Sequence, residues 1–237
     1  FSNDAWKKGA ENHSEDGSEG DFYARRSAAI KAYYEWMPIR EQQNQRRIFR
    51  EFKIGKLIHL IMLDTRQYGR DKQLQPKDYL SESGFNQAKF YNDLNSKNRE
   101  LLGAEQLSWI ENSVLKSNAA WTIFGQQVLM AKLKFPDISK MLKTEEVPNF
   151  LKPYLKFLGL GIPSNLDAWD GYPAARNSLY KLMKNTKKKF ISLAGDTHNS
   201  WVSELENQSG KKVGIELGAP SVTSPGITDI LNLDQNK

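Results

Sequence analysis

The chain contains no cysteine. Disulfide staples and thiolate-ligated metal centres are therefore excluded from it, while the redox compartment stays open, because exported and cytosolic chains can both lack the residue. Histidine is nearly as scarce, with three in 237 residues, so no metal centre can rest on a histidine cluster of this chain. No stretch approaches the run of about 18 apolar residues that a membrane helix needs, and no charged-then-apolar leader precedes a small-residue cleavage site. The first residue is Phe1 rather than methionine, so the lack of a leader says little about export. There is no G-x-S-x-G elbow and no phosphate-cradling glycine loop, and Ser200 follows His198 too closely for the usual nucleophile and base arrangement. Serine-hydrolase and P-loop chemistry are disfavoured.

What is present is globular material. Hydrophobic residues make up 39% of the chain, enough for one sizeable core or for a large part of a bigger domain. The net charge of +6 suits an anionic partner, but Arg25 and Arg26, Arg46 and Arg47, and Lys7 and Lys8 are scattered pairs. Lys187, Lys188 and Lys189 fall in a turn before a strand. Without the aromatic interleaving of a nucleic-acid groove, these charges read as solvated faces, and neither nucleic acid nor a membrane span is expected.

Along the chain, "GAENHSEDGSEGD" reads as an exposed loop, and Phe22 to Met37 as an amphipathic helix ended by Pro38. "RIFREFKIG" and "KLIHLIMLD" are expected to form a hairpin about Gly55, its second strand buried on both faces. Tyr68 to Asn98 has few periodic apolar positions and reads as a surface excursion. "GAEQLSWIENSVLKS" is a helix with Leu107, Ile110, Val114 and Leu115 on one face, and "WTIFGQQVLMA" contains a strand. Residues 132–165 are not assigned; within them, the prolines and short length of "FLKPYLKFLGLGIP" weigh against membrane contact. Asp170 or Gly171 caps a helix through "AARNSLYKLMK" with Pro173 in its first turn, "KFISLAGD" is a strand, and a hairpin turns at "NQSG". Alternating strands and helices with antiparallel additions give an α/β layered fold, whose ligand crevice lies at the carboxyl ends of the strands. Asp64, Gln126, Asp196 and His198 fall at or near such ends.

The stretch "ISLAGDTHNS" carries the sharpest signal. Asp-x-His at a strand mouth offers a metal ion one carboxylate and one imidazole, or a carboxylate that orients the histidine. It can equally satisfy loop backbone groups. The other two histidines read as structural: His59 as a hydrogen-bonded core residue, and His13 as a solvated member of the acidic loop. Asp64 and Arg66 read as a local ion pair. In "NLDAWDGYPAAR", Arg176 can reach a phosphate with its planar fork of donors or pair with an acid.

Seven ordered blocks, "FSNDAWKKGAENH", "RRSAAIKAYYEWMPIR", "MLDTRQYGRD", "LLGAEQLSWI", "WTIFGQQVLMA", "DAWDGYPAAR" and "LAGDTHNSWVSEL", together resemble the PhoD-like alkaline phosphatases and phosphodiesterases. These enzymes belong to the metallophosphoesterases, with an α/β sandwich and a metal centre at strand ends. The resemblance implies that residues 1–237 are the carboxyl-terminal part of a single catalytic domain, lacking its amino-terminal strands and an Asp-Asp-His-Glu block. It implies His198 and Asp196 as metal-site residues, Arg176 and Asn3 in the catalytic or phosphate environment, and iron with calcium as the ions. The implied activity is hydrolysis of small phosphate mono- or diesters by a metal-activated water, in the periplasm or outside the cell. The 237 residues alone are expected to be nearly inactive. The competing expectation is a non-catalytic remnant or binding module on the same scaffold.

Overall fold

A computed structural model describes residues 5–14, 16–42, 44, 46–133, 160–186 and 188–226. Helix α1 (Phe22–Trp36) starts where the Asp21 carboxylate accepts the Ala24 amide at 2.8 Å, the N-cap role suited to short acids. It stops at Met37, whose extended backbone is what proline demands of the residue before it. Strands β1 (Arg50–Ile54) and β2 (Ile58–Met62) form the expected antiparallel hairpin, with Gly55 at φ +53° in the turn.

The stretch read as a surface excursion has its own order. A 3-10 turn at Pro76–Tyr79 leads into a two-residue hairpin of β3 (Leu80–Ser81) and β4 (Gly84–Phe85), then into α2 (Gln87–Leu94), capped by Asn86. Tyr79, Phe90, Leu94 and Leu166 pack into a small separate core with Phe85 and Tyr91 against it. Aromatic burial orders this segment, a signal that helical or strand periodicity does not register.

Helix α3 (Ala104–Leu115) buries Ile110 and Val114, but Leu115 is 62% exposed rather than on the core face. Strand β5 (Trp121–Gly125) follows, then α4 (Pro173–Thr186), β6 (Lys189–Ala194) and the hairpin of β7 (Trp201–Glu206) with β8 (Lys212–Gly218). The sheet order is β1-β2-β5-β6-β8-β7, with β2, β5, β6 and β8 parallel and an antiparallel strand at each edge. The expected α/β layering is borne out.

The two sheet faces differ. One face carries His59, Ile61, Thr122, Phe124, Phe190, Ser192 and Glu216, all buried, and belongs to the main core shared with α3 and α4. On the other face, the registered rows Phe52, Leu60, Ile123, Ile191, Ile215 and Met62, Leu193, Leu217, Val202 are half-buried or exposed. Val202 reaches 83% exposure and Ile54 56%. The run in β2, read as buried on both faces, is thus buried on one among the described residues.

Candidate active site at the carboxyl ends of the parallel strands

Because β2, β5 and β6 run parallel, the loops that leave them emerge on one edge of the sheet, and two glutamine side chains lock these loops together. Gln106 of α3 accepts the Asp64 amide and donates to the Asp64 carbonyl, both at 2.9 Å. After β5, Gln127 accepts from the Thr65 amide and hydroxyl and donates to the Leu63 carbonyl at 3.1 Å. Each amide side chain replaces a missing backbone partner, which buried loop groups require. Neither glutamine was singled out from the sequence, since an isolated amide carries no motif.

Asp64 does not pair with Arg66. Its buried carboxylate accepts the backbone amides of Arg66 and Gln67 at 2.9 and 2.8 Å, closing the turn, and burial pushes its pKa up against these hydrogen bonds. The Arg66 guanidinium instead joins two loops. It donates to Asp167 at 2.7 Å and to Asp196 at 2.9 Å, a reach of 130 residues in sequence. Arg70, fully buried, holds Asp167 from the other side.

In the loop after β6, Asp196 and His198 both have left-handed backbone, with φ +72° and +58°. Side chains rarely adopt it, and such strain collects at sites where geometry is over-determined by function. The His198 Nδ1 lies 3.1 Å from the Pro225 carbonyl. A carbonyl can only accept, so Nδ1 is the donor, and Nε2 is left as the ring nitrogen that can ligate. Trp201 fixes the loop further by donating its indole N–H to the Thr197 hydroxyl at 2.8 Å.

Arg176 sits elsewhere. It is 3% exposed and donates to Asp170 at 2.6 Å and to the Met130 carbonyl at 3.1 Å. Asp170 accepts the Leu133 amide and Arg176, and the helix after it begins at Pro173, so it is an ion-pair partner rather than the expected cap. A neighbouring buried network centres on Glu216 of β8, which accepts the Met130 and Ala131 amides and the Ser192 hydroxyl, each at 2.8 Å. Gln126 donates to Ser192 and accepts the Trp169 indole N–H at 2.6 Å. Burial raises the Glu216 pKa despite these donors. Together these groups pin residues 126–133, the loop after β5.

Of the residues expected at the site, Asp196 and His198 share one strand-end loop, Arg176 lies in the supporting network, and Asn3 lies outside the described residues. His59 is fully buried on Glu51 at 2.7 Å, as a core histidine should be. His13, expected in solvent, is 8% exposed and packs edge-on against Phe22. The donor pair at Asp196 and His198 suits one side of a coordination sphere; among the described residues, no three metal-ligating side chains cluster.

The profile of the PhoD-like phosphatases matches residues 1–237. Alkaline phosphatase D of Bacillus subtilis (strain 168) is 33% identical over 214 residues, 86% of this chain and 32% of that protein. A solved structure described as "Structure of PhoD" superposes with a TM-score of 0.68 at 30% identity, covering 94% of this chain and 38% of that one. The chain therefore spans about a third of the length of these relatives.

Proposed function

This chain belongs to the PhoD-like phosphatase family, and from that premise we propose that it contributes the strand-end half of a site that hydrolyses phosphate mono- or diesters. The observation that carries the reading is the paired left-handed Asp196 and His198 at the mouth of β6, with Arg66 holding the Asp196 carboxylate. His198 would hold a metal ion through Nε2, and Asp196 would either ligate it as well or orient the histidine. Iron with calcium is our assignment from the family resemblance, as is an exported location. Such ions supply Lewis acidity toward phosphoryl oxygens and lower the pKa of water. The chain's own residues orient and restrain: Gln106 and Gln127 fix the loop after β2, and the Glu216 and Arg176 networks fix the loop after β5. In this reading Arg176 is a positioning residue, and Asn3 belongs to the metal or phosphate environment.

We place residues 1–237 as the carboxyl-terminal part of one catalytic domain. Supporting this is the apolar sheet face, where Phe52, Leu193, Leu217 and Val202 stand 39 to 83% exposed. Parallel sheets are normally covered on both faces. The remaining ligands and the covering layer come from the part of the relatives' length that this chain does not span.

The test compares the 237-residue chain with the product of its whole open reading frame on a chromogenic phosphodiester and phosphomonoester. The expected result is metal-dependent turnover by the whole product, abolished by chelation and restored by iron and calcium, and almost none by the 237 residues alone. Robust turnover by the short chain would refute the shared site. No turnover by the whole product would favour a binding module on the same scaffold.

A further inference from the structure

Beside the proposed active-site loop lies a cavity of about 370 Å³ lined by Arg26, Ile30, Asn44, Arg46, Gln67 and Tyr68. It is a basic pocket with little carboxylate to neutralise it. Arg26 is half-buried, its guanidinium held 5.1 Å from the Tyr23 ring and 5.9 Å from the Phe22 ring, and its Nη1 donates to the Lys7 and Gln67 carbonyls. Those acceptors are neutral. Burial does most to disfavour the Arg26 charge, Arg46 adds to that cost, and Tyr23 and Asp64 offset it only weakly. Arg46 is exposed, placed by a turn in which its amide donates to Asn44 Oδ1 at 3.1 Å. Among the described residues, no carboxylate lies within 4 Å of either guanidinium.

The polar lining is complementary. Tyr68 commits its hydroxyl to Glu105, and its pKa is pushed up to about 12 by burial and that bond, so it stays neutral. The Gln67 Oε1 is buried and has no hydrogen-bond partner among the described residues. A lone buried acceptor costs about 1–3 kcal/mol unless a donor reaches it. A ligand with oxyanion oxygens for the arginines and a hydroxyl for Gln67 answers both deficits, and the planar guanidinium fork matches carboxylate and phosphate oxygens.

Gln67 directly follows Arg66, the residue that grips Asp196. The cavity and the proposed active site are therefore walls of one loop. Resting on the phosphoester reading above, we propose that the Arg26–Arg46 cavity is a specificity subsite for a second oxyanion, a phosphate or carboxylate carried on the alcohol side of the substrate. An ester with such a group gains a distant anchor that a simple ester lacks, and binding energy made away from the reacting centre can be used to orient it.

The test uses the product of the whole open reading frame and its Arg46→Gln variant. Arg46 is exposed, so the fold is not at stake, and a thermal melt checks this. One arm measures binding of inorganic phosphate by calorimetry; the other measures kcat/KM for phenyl phosphate and for carboxyphenyl phosphate. The wild type is expected to favour the carboxylated ester, and Arg46→Gln to lower that selectivity ratio and the phosphate affinity about tenfold, the loss of one charge-assisted pair. If neither moves, the subsite is overturned. If phosphate affinity falls but the selectivity ratio does not, the cavity takes free phosphate and the substrate-borne assignment is wrong. If no ester is hydrolysed by the wild type, the hydrolase reading fails, while loss of phosphate affinity in the variant still upholds the oxyanion site.

Discussion

At Asp196 and His198 the backbone is held in a conformation that costs an L-residue about 1–2 kcal/mol. Nothing in the described packing asks for an imidazole there, since His198 is exposed and, among the described residues, its side chain bonds only to the Pro225 carbonyl. Asparagine tolerates left-handed backbone better, so His198→Asn should leave thermal stability within about 0.5 kcal/mol of the wild type, which a denaturant titration checks. Glu216 is the opposite case. Both of its oxygens face amide or hydroxyl donors, so a carboxamide must turn its NH₂ toward an N–H group, and Glu216→Gln should cost about 1–3 kcal/mol. Gly69 is a third. A Cβ there would stand 2.2–2.3 Å from the Leu102–Gly103 peptide, so Gly69→Ala should destabilise by about 1–3 kcal/mol by prising the loop after β2 off the start of α3. Of these, the sequence disclosed only the Asp-x-His spacing. Glu216 is one charge within a strand, and Gln106, Gln127 and Gly69 act through loop partners 33 to 64 residues away, which no local pattern encodes.

The β1–β2 hairpin was legible from the alternation of "RIFREFKIG" and the turn at Gly55, and its polar pair follows from the register. His59 is buried and bonded to Glu51 one step diagonally across the hairpin. Burial alone would raise the Glu51 pKa, but hydrogen bonds from His59 and Ser113 outweigh it and hold the carboxyl below its ordinary value of 4.5. A lowered folded pKa contributes stability that is present above the unfolded value and is lost as pH falls through the folded one. Glu51→Gln should therefore lower the melting temperature at about pH 6, and the gap to wild type should close toward about pH 3. A gap that held or widened in acid would contradict the assignment. Segment 68–98 was illegible for a different reason: its order comes from Tyr79, Phe85 and Phe90 meeting Leu166, a contact between neighbouring aromatics and a distant leucine rather than a repeat. The α4 start, with Pro173 in its first turn, was legible, but its cap was not, because Asp170, which looks like a cap, is taken by Arg176. Breaking that buried pair with Asp170→Ala should cost about 3–5 kcal/mol, since it strands the guanidinium.

For the molecule as a whole, the succession of strands and helices announced an α/β sheet, and the family resemblance gave its class. Strand order and the inequality of the two faces were hidden, because β2, β5 and β6 are apolar on both sides and sequence alone cannot say which side is covered. The open face predicts behaviour: the 237 residues alone should bind an apolar fluorescent dye and self-associate, whereas the whole product should do neither, a contrast that light scattering resolves. If the loop after β6 holds a metal ion for phosphoester hydrolysis, His198→Asn reports it through two readouts on one sample of the whole product. The variant should fold, with reduced bound metal by elemental analysis and phosphodiester turnover down by about 100-fold or more, beyond what loss of an outer partner costs. Full metal content together with wild-type turnover in the folded variant would contradict it.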